Sequence, residues 1–155
     1  LGFEVRGYAR TPRSIEGVAT FAGSDQLAAF ADGLDIVVSV LPLTPETTGI
    51  MNAGFFGMLA DGAFIINGGR GPQVDDDDLL AALNSGKLGG AALDVFAVEP
   101  LPQDHPFWTH PKVRVWPHVA AQTNATSAAE QVAAAITAMM DGSEPANRVD
   151  WSRGY

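Results

Sequence analysis

The 155-residue chain has no cysteine. Disulfides, thiolate nucleophiles and Cys-ligated metal centres are therefore excluded, and the cytoplasm is the default compartment. Basic residues are scarce: nine Lys+Arg stand against 18 Asp+Glu, a formal net charge of −9. Such a field repels phosphate backbones and anionic bilayers, so neither nucleic acid nor a membrane surface is expected as a partner. Long apolar runs are missing as well. The run Ile36-Val37-Val38-Ser39-Val40-Leu41 falls far short of the roughly 18 residues a membrane span takes. No internal repeat or low-complexity tract interrupts the chain. It opens Leu1-Gly2-Phe3-Glu4-Val5, with neither Met nor a signal sequence, which reads as a cut inside a longer protein.

What is present is enough apolar material, 46% of residues, for one packed core. Short β-rich runs at residues 3–8, 35–41, 63–66, 91–95 and 113–116, with a weaker one at 18–21, alternate with helical patterns at 24–31, 52–59, 75–85 and 124–140. Gly86 and Gly142 read as helix stops. The runs at 36–40 and 64–66 are continuously apolar, as strands covered on both faces require, so the expected class is α/β with a mainly parallel sheet. In such sheets ligands bind beyond the carboxyl ends of strands, which gives weight to the residues that follow them.

Three polar groups stand in those places. Asn67-Gly68-Gly69-Arg70-Gly71 offers one guanidinium among glycines, a planar fork for a carboxylate or a plain surface Arg. Glu99-Pro100-Leu101-Pro102 holds a carboxylate between stiff neighbours, suited to orienting a partner. Pro117-His118-Val119-Ala120 supplies a histidine directly beyond a strand, whereas His105 and His110 lie in a Pro-rich connection and read as turn residues. Arg70, Glu99 and His118 thus form a candidate composite site, with His118 as the acid and Glu99 as its partner. The run Asp75 to Asp78 is not a metal site, because successive helical residues point about 100° apart; it reads as a cap and first-turn acids.

In this order, Leu41-Pro42-Leu43-Thr44-Pro45-Glu46-Thr47, Asn67 to Gly71 with Val74-Asp75, Asp94-Val95-Phe96 with Glu99-Pro100-Leu101, and Pro117 to Ala120 resemble the NAD(P)-dependent D-isomer-specific 2-hydroxyacid dehydrogenases over nearly the whole chain. Residues 76–83 and the ending Val149 to Tyr155 look like the glyoxylate/hydroxypyruvate reductase A branch. The resemblance implies a Rossmann-like, doubly wound parallel sheet over residues 1–141 and a tail, 142–155, returning to a substrate domain. It also implies reduction of a small 2-keto acid, a cytoplasmic homodimer, and the following roles. Arg70 grips the substrate carboxylate and polarises its keto oxygen, His118 gives that oxygen a proton, and Glu99 holds His118. Asp94 meets the carboxamide edge of the nicotinamide. Leu41, Pro42, Thr47, Gly68, Gly69, His118 and Ala120 lie along the cofactor.

Tyr8-Ala9-Arg10-Thr11-Pro12-Arg13 has no acid where an NAD-preferring site places one, and two guanidiniums instead, so NADP is expected over NAD unless Arg10 and Arg13 simply face water. The family's Gly-x-Gly-x-x-Gly turn and its first strand, which sits between the strands at 3–8 and 35–41, are not in this sequence, and Gly68 and Gly69 stand where bulkier residues are common. The same fold also resembles dinucleotide-sensing corepressors that keep the three polar residues, so a non-catalytic interaction module and an inert remnant are the alternatives.

Overall fold

The computed structural model describes residues 2–149. Residues 150–155, most of the ending singled out above, lie outside the described residues, as does Leu1. Among the described residues, six strands and four α-helices follow one another as β1 (Arg6–Ala9), β2 (Ala19–Ala22), α1 (Leu27–Ala31), β3 (Ile36–Ser39), α2 (Ala53–Met58), β4 (Ala63–Asn67), α3 (Asp76–Ser85), β5 (Leu88–Leu93), β6 (Val113–Val115) and α4 (Ala125–Met140). Strands β3-β4-β5-β6 form one parallel sheet in that order, and β1 and β2 form a separate parallel pair. This is an α/β, Rossmann-like architecture. Among the described residues no helix is long and apolar enough to cross a membrane.

Local chemistry explains the helix boundaries. Asn52, Asp75 and Asn124 cap α2, α3 and α4 by accepting from the backbone N–H groups of Phe55, Asp78 and both Thr126 and Ser127. Gly86 ends α3 at φ 84°, a left-handed position that glycine adopts without strain. The acids of α3 diverge: Asp78 Oδ2 accepts from Ala53 N at 2.8 Å, tying α3 to the start of α2, while Asp76 faces His105 at 3.6 Å. Burial pushes the Asp76 carboxyl upward, and His105 opposes that shift. Strand β5 begins three residues earlier than the sequence suggests. Gly89 and Gly90, left outside the expected strand, belong to it, and glycine there leaves room for the Phe64 ring: a Cβ on Gly90 would stand 2.8 Å from that ring.

The core lies between the sheet and α2–α3, around the fully buried Phe56, Ile65, Leu79, Leu83, Leu88 and Leu93. The opposite side chains of β3 and β4, Ile36, Val38, Phe64 and Ile66, remain exposed, and α4 buries none of its residues. Lys87 and Lys112 sit just before β5 and β6, at the amino ends of the strands; their ammonium groups donate to Leu59 O and Leu83 O, and Lys87 also pairs with Asp61. Among the described residues no ladder joins β1 to β3; a groove of about 200 Å³ separates them, lined in part by Gly7, Tyr8, Val38 and Leu41.

Candidate active site

Because β3 to β6 are parallel, the loops after them emerge on one edge. The loop after β4 is shaped by Asn67, which is 1% exposed: its Oδ1 accepts from Gly69 N at 3.1 Å and its Nδ2 donates to Arg70 O at 3.1 Å. Gly71 then passes against the loop after β5, so close that a Cβ would overlap the Phe96 carbonyl and Ala97 N. That approach, possible only for glycine, sets the Arg70 loop beside the Glu99 loop. The Arg70 side chain is exposed, and its Nη1 donates to Gly69 O at 2.8 Å.

Asp94, directly after β5, joins the remaining loops. Its N–H donates to Asn67 O, and its carbonyl accepts from His118 N at 2.9 Å. Its carboxylate is buried and accepts from two successive amides, Val119 N at 2.8 Å and Ala120 N at 2.9 Å. His118 takes a left-handed backbone, φ 55°, rare for a residue with a side chain, and these three hydrogen bonds hold it there. The resemblance implies that Asp94 also meets the nicotinamide; in this structure each of its carboxylate oxygens accepts one amide of the His118 loop, which leaves further acceptor capacity on both.

Glu99 Oε2 lies 2.8 Å from His118 Nδ1, and Glu99 Oε1 accepts from Phe96 N at 2.9 Å. The His118 hydrogen bond, followed by the one from Phe96, holds the Glu99 carboxyl below the usual carboxylate range. A carboxylate only accepts, so the bond assigns a proton to Nδ1 and leaves Nε2 to exchange one with a ligand. Both side chains are accessible, His118 at 52% and Glu99 at 36%. Glu99 and His118 thus meet directly. Arg70 stands on the adjoining loop and, among the described residues, shares no hydrogen bond with them. His105 and His110 are elsewhere: each Nδ1 accepts a backbone N–H within its own turn, from Phe107 and Lys112.

Further along the edge, a cavity of about 530 Å³ spans the carboxyl ends of β1 and β3 and is lined by Arg10, Arg13, Leu41, Pro42, Glu46 and Thr47, among others. Its size and its guanidiniums suit the nucleoside half of a phosphorylated dinucleotide. Thr47 shapes the lip, donating to Pro42 O at 2.8 Å and accepting from Thr44 N at 2.8 Å. A hydrogen bond from Thr44 keeps the Glu46 carboxyl low, and Arg10 adds to this. Gly68 faces Ala120: a Cβ on Gly68 would lie 3.7 Å from the Ala120 Cβ. Beside Glu99 and His118 opens a recess of about 600 Å³ walled by Phe96, Leu101, Trp108 and Trp116.

Sequence reasoning missed Gln73, Ser39 and the structural use of Asp94. Gln73 is fully buried, and its amide bonds Arg70 N, Ser39 Oγ, Leu41 O and Pro42 O. Only its bond to Arg70 N, the backward half of a capping box, is local. Asn67 did carry a signal, an Asx side chain followed by two glycines.

A family model described as D-isomer specific 2-hydroxyacid dehydrogenase, NAD binding domain, matches residues 1–120. The chain is 51% identical over all 155 residues to glyoxylate/hydroxypyruvate reductase A of Serratia proteamaculans, of which it spans 50%, and 50% identical to the same-named protein of Yersinia enterocolitica, again spanning 50%. The chain therefore covers about half the length of these relatives. Among solved structures, it resembles a D-isomer specific 2-hydroxyacid dehydrogenase of Xanthobacter autotrophicus Py2 in complex with NADPH and MES, with a TM-score of 0.96, 48% identity, and coverage of 99% of this chain and 64% of that one. An NADPH-dependent glyoxylate/hydroxypyruvate reductase of Sinorhizobium meliloti in complex with NADP and sulfate gives a TM-score of 0.93 and 42% identity, covering 99% of this chain and 50% of that one. The chain belongs to the D-isomer-specific 2-hydroxyacid dehydrogenase family, and residues 1–120 correspond to its NAD-binding domain.

Proposed function

We propose that residues 1–141 are the NADP-binding part, and 142–155 a tail returning toward a substrate domain, of an oxidoreductase that reduces glyoxylate or hydroxypyruvate to the 2-hydroxyacid. The observation that carries this reading is the 2.8 Å contact between Glu99 and His118 beyond the carboxyl ends of a parallel sheet, with Arg70 on the next loop. The names of the relatives, of which this chain spans about half, agree with it. Bound NADPH supplies the hydride that reaches the keto carbon. Arg70 grips the substrate carboxylate and polarises the keto oxygen, and His118 Nε2 hands that oxygen its proton. Glu99 keeps the opposite ring nitrogen protonated and the ring in place, and Asp94 fixes the backbone that carries it. Arg10 and Arg13 line the cavity at the end of β1 where no acid follows the strand, which favours a 2′-phosphate, and two similar solved structures hold NADPH or NADP. The groove between β1 and β3 has the position of the family's first strand. A cytoplasmic homodimer completes the proposal on family likeness.

The test is NADPH consumption with glyoxylate and hydroxypyruvate, run on this chain and on the chain joined to upstream sequence. Turnover is expected in the longer form, with a higher kcat/KM for NADPH than for NADH. Arg70→Lys keeps the charge but loses the fork, so kcat/KM for the keto acid should fall about 100-fold. Dinucleotide binding without turnover would favour the interaction module, and near wild-type rates in the Lys variant would remove Arg70 from the chemistry. Sedimentation of the longer form tests the dimer.

A further inference from the structure

Beside backbone bonds such as Gly49 N to Pro72 O, one side chain ties the loop that carries Arg70 to the loop after β3. Gln73 has no solvent exposure, and all its hydrogen-bonding directions are used. Its Oε1 accepts from Arg70 N at 3.1 Å and from Ser39 Oγ at 3.2 Å, and its Nε2 donates to Leu41 O at 2.9 Å and Pro42 O at 3.0 Å. The partners fix the orientation of the amide, because two carbonyls can only accept and an amide N–H can only donate. Space for this knot exists because residue 69 is glycine: a Cβ there would lie 2.5 Å from Gln73 Oε1 and 3.0 Å from Leu41 O. The Gln73 backbone is anchored separately, its carbonyl accepting from Met51 N at 2.9 Å. The side chain can therefore be altered while the main chain keeps its place.

From this geometry we infer that Gln73 is a positioning residue that sets the Arg70 guanidinium for the substrate carboxylate by fixing its loop to Leu41 and Pro42 of the cofactor cavity. The inference rests on the reductase reading. Arg70 holds the carboxylate before and during reduction, so loosening its loop weakens ground-state and transition-state binding alike and appears in KM more than in kcat. Gln73→Leu removes all four bonds at similar volume. Gln73→Glu keeps the two acceptor contacts but turns a second oxygen on two carbonyls, a repulsion relieved when that carboxyl is protonated and can donate.

The experiment measures KM for glyoxylate at saturating NADPH, with kcat and the melting temperature, for the active full-length enzyme and both variants between pH 6 and 8. Gln73→Leu is expected to raise KM about tenfold with kcat changed less than about threefold. Gln73→Glu should show a KM penalty that grows with pH, a signature that a merely structural role would not produce. Folded variants with wild-type KM and no added pH dependence overturn the assignment. So does melting of both variants below the assay temperature, since Gln73 would then secure the fold rather than the loop. A wild-type enzyme that consumes no NADPH with any 2-keto acid instead overturns the reductase reading itself.

Discussion

Glu99 works through two bonds of different origin, one from an imidazole and one from the Phe96 amide, and both favour its ionised form. The consequence for stability has a definite sign. The native carboxyl titrates below its ordinary 4.5, so its contribution is complete above that value and disappears as pH falls through the lowered native one. Melting curves of wild type and Glu99→Gln should therefore differ at about pH 5 and converge on acidification below it; a gap that widens toward acid would contradict the pairing. In the active enzyme the same substitution removes the acceptor that holds the His118 Nδ1–H and orients the ring, so kcat for reduction should fall. An unchanged kcat would separate Glu99 from the proton transfer. The positions of these two residues were legible because each directly follows a strand or its loop in a parallel sheet. The work of Gln73 and of the Asp94 oxygens was not, since, apart from the Gln73 bond to Arg70 N, it consists of contacts with residues 25 to 34 positions away.

The starts of α2, α3 and α4 were readable, because a cap is a contact between near neighbours in sequence, whereas the pattern at 24–31 divides into a 3-10 turn, Ser24–Gln26, and an α1 without a side-chain cap. Asp75 shows this: its side chain accepts from Asp78 N, and Asp75→Ala should lower stability by about 1 kcal/mol, read as a shift in denaturant midpoint at constant slope. The start of β5 was hidden because Gly89 and Gly90 leave room for an aromatic ring on β4, which no local pattern shows. A similar long-range cause governs Gly71. Gly71→Ala would drive a methyl group into the backbone at Phe96 and Ala97, forcing the Arg70 and Glu99 loops apart. Loss of most of the proposed reductase activity together with a clear drop in melting temperature is expected; activity near wild type would show that the two loops need not touch. The unusual glycine at 69 has a related explanation, since the volume a larger residue would take is occupied by the Gln73 amide.

The α/β class followed from alternating β-rich and helical patterns, and the division of the sheet followed from the resemblance, whose first strand belongs between the strands at 3–8 and 35–41; the residue patterns alone could not give it, because pairing depends on which strands are neighbours in space. The chain presents two parallel sheets, a groove between β1 and β3, and exposed Ile36, Val38, Phe64 and Ile66 on one face of β3 and β4. Apolar surface of this kind seeks cover, so the 155-residue chain alone should bind a hydrophobic dye and sediment as concentration-dependent species, and joining it to upstream sequence should suppress both; a dye-silent monomer would show that the exposed face is tolerated. The shared direction of β3 to β6 reaches into practical handling as well. All the proposed chemistry emerges on one rim, while the two lysines of the sequence, Lys87 and Lys112, precede strands on the other. Amine-directed tethering to a bead or sensor chip through either one would present the molecule site-outward, so its orientation on a surface is written into strand polarity.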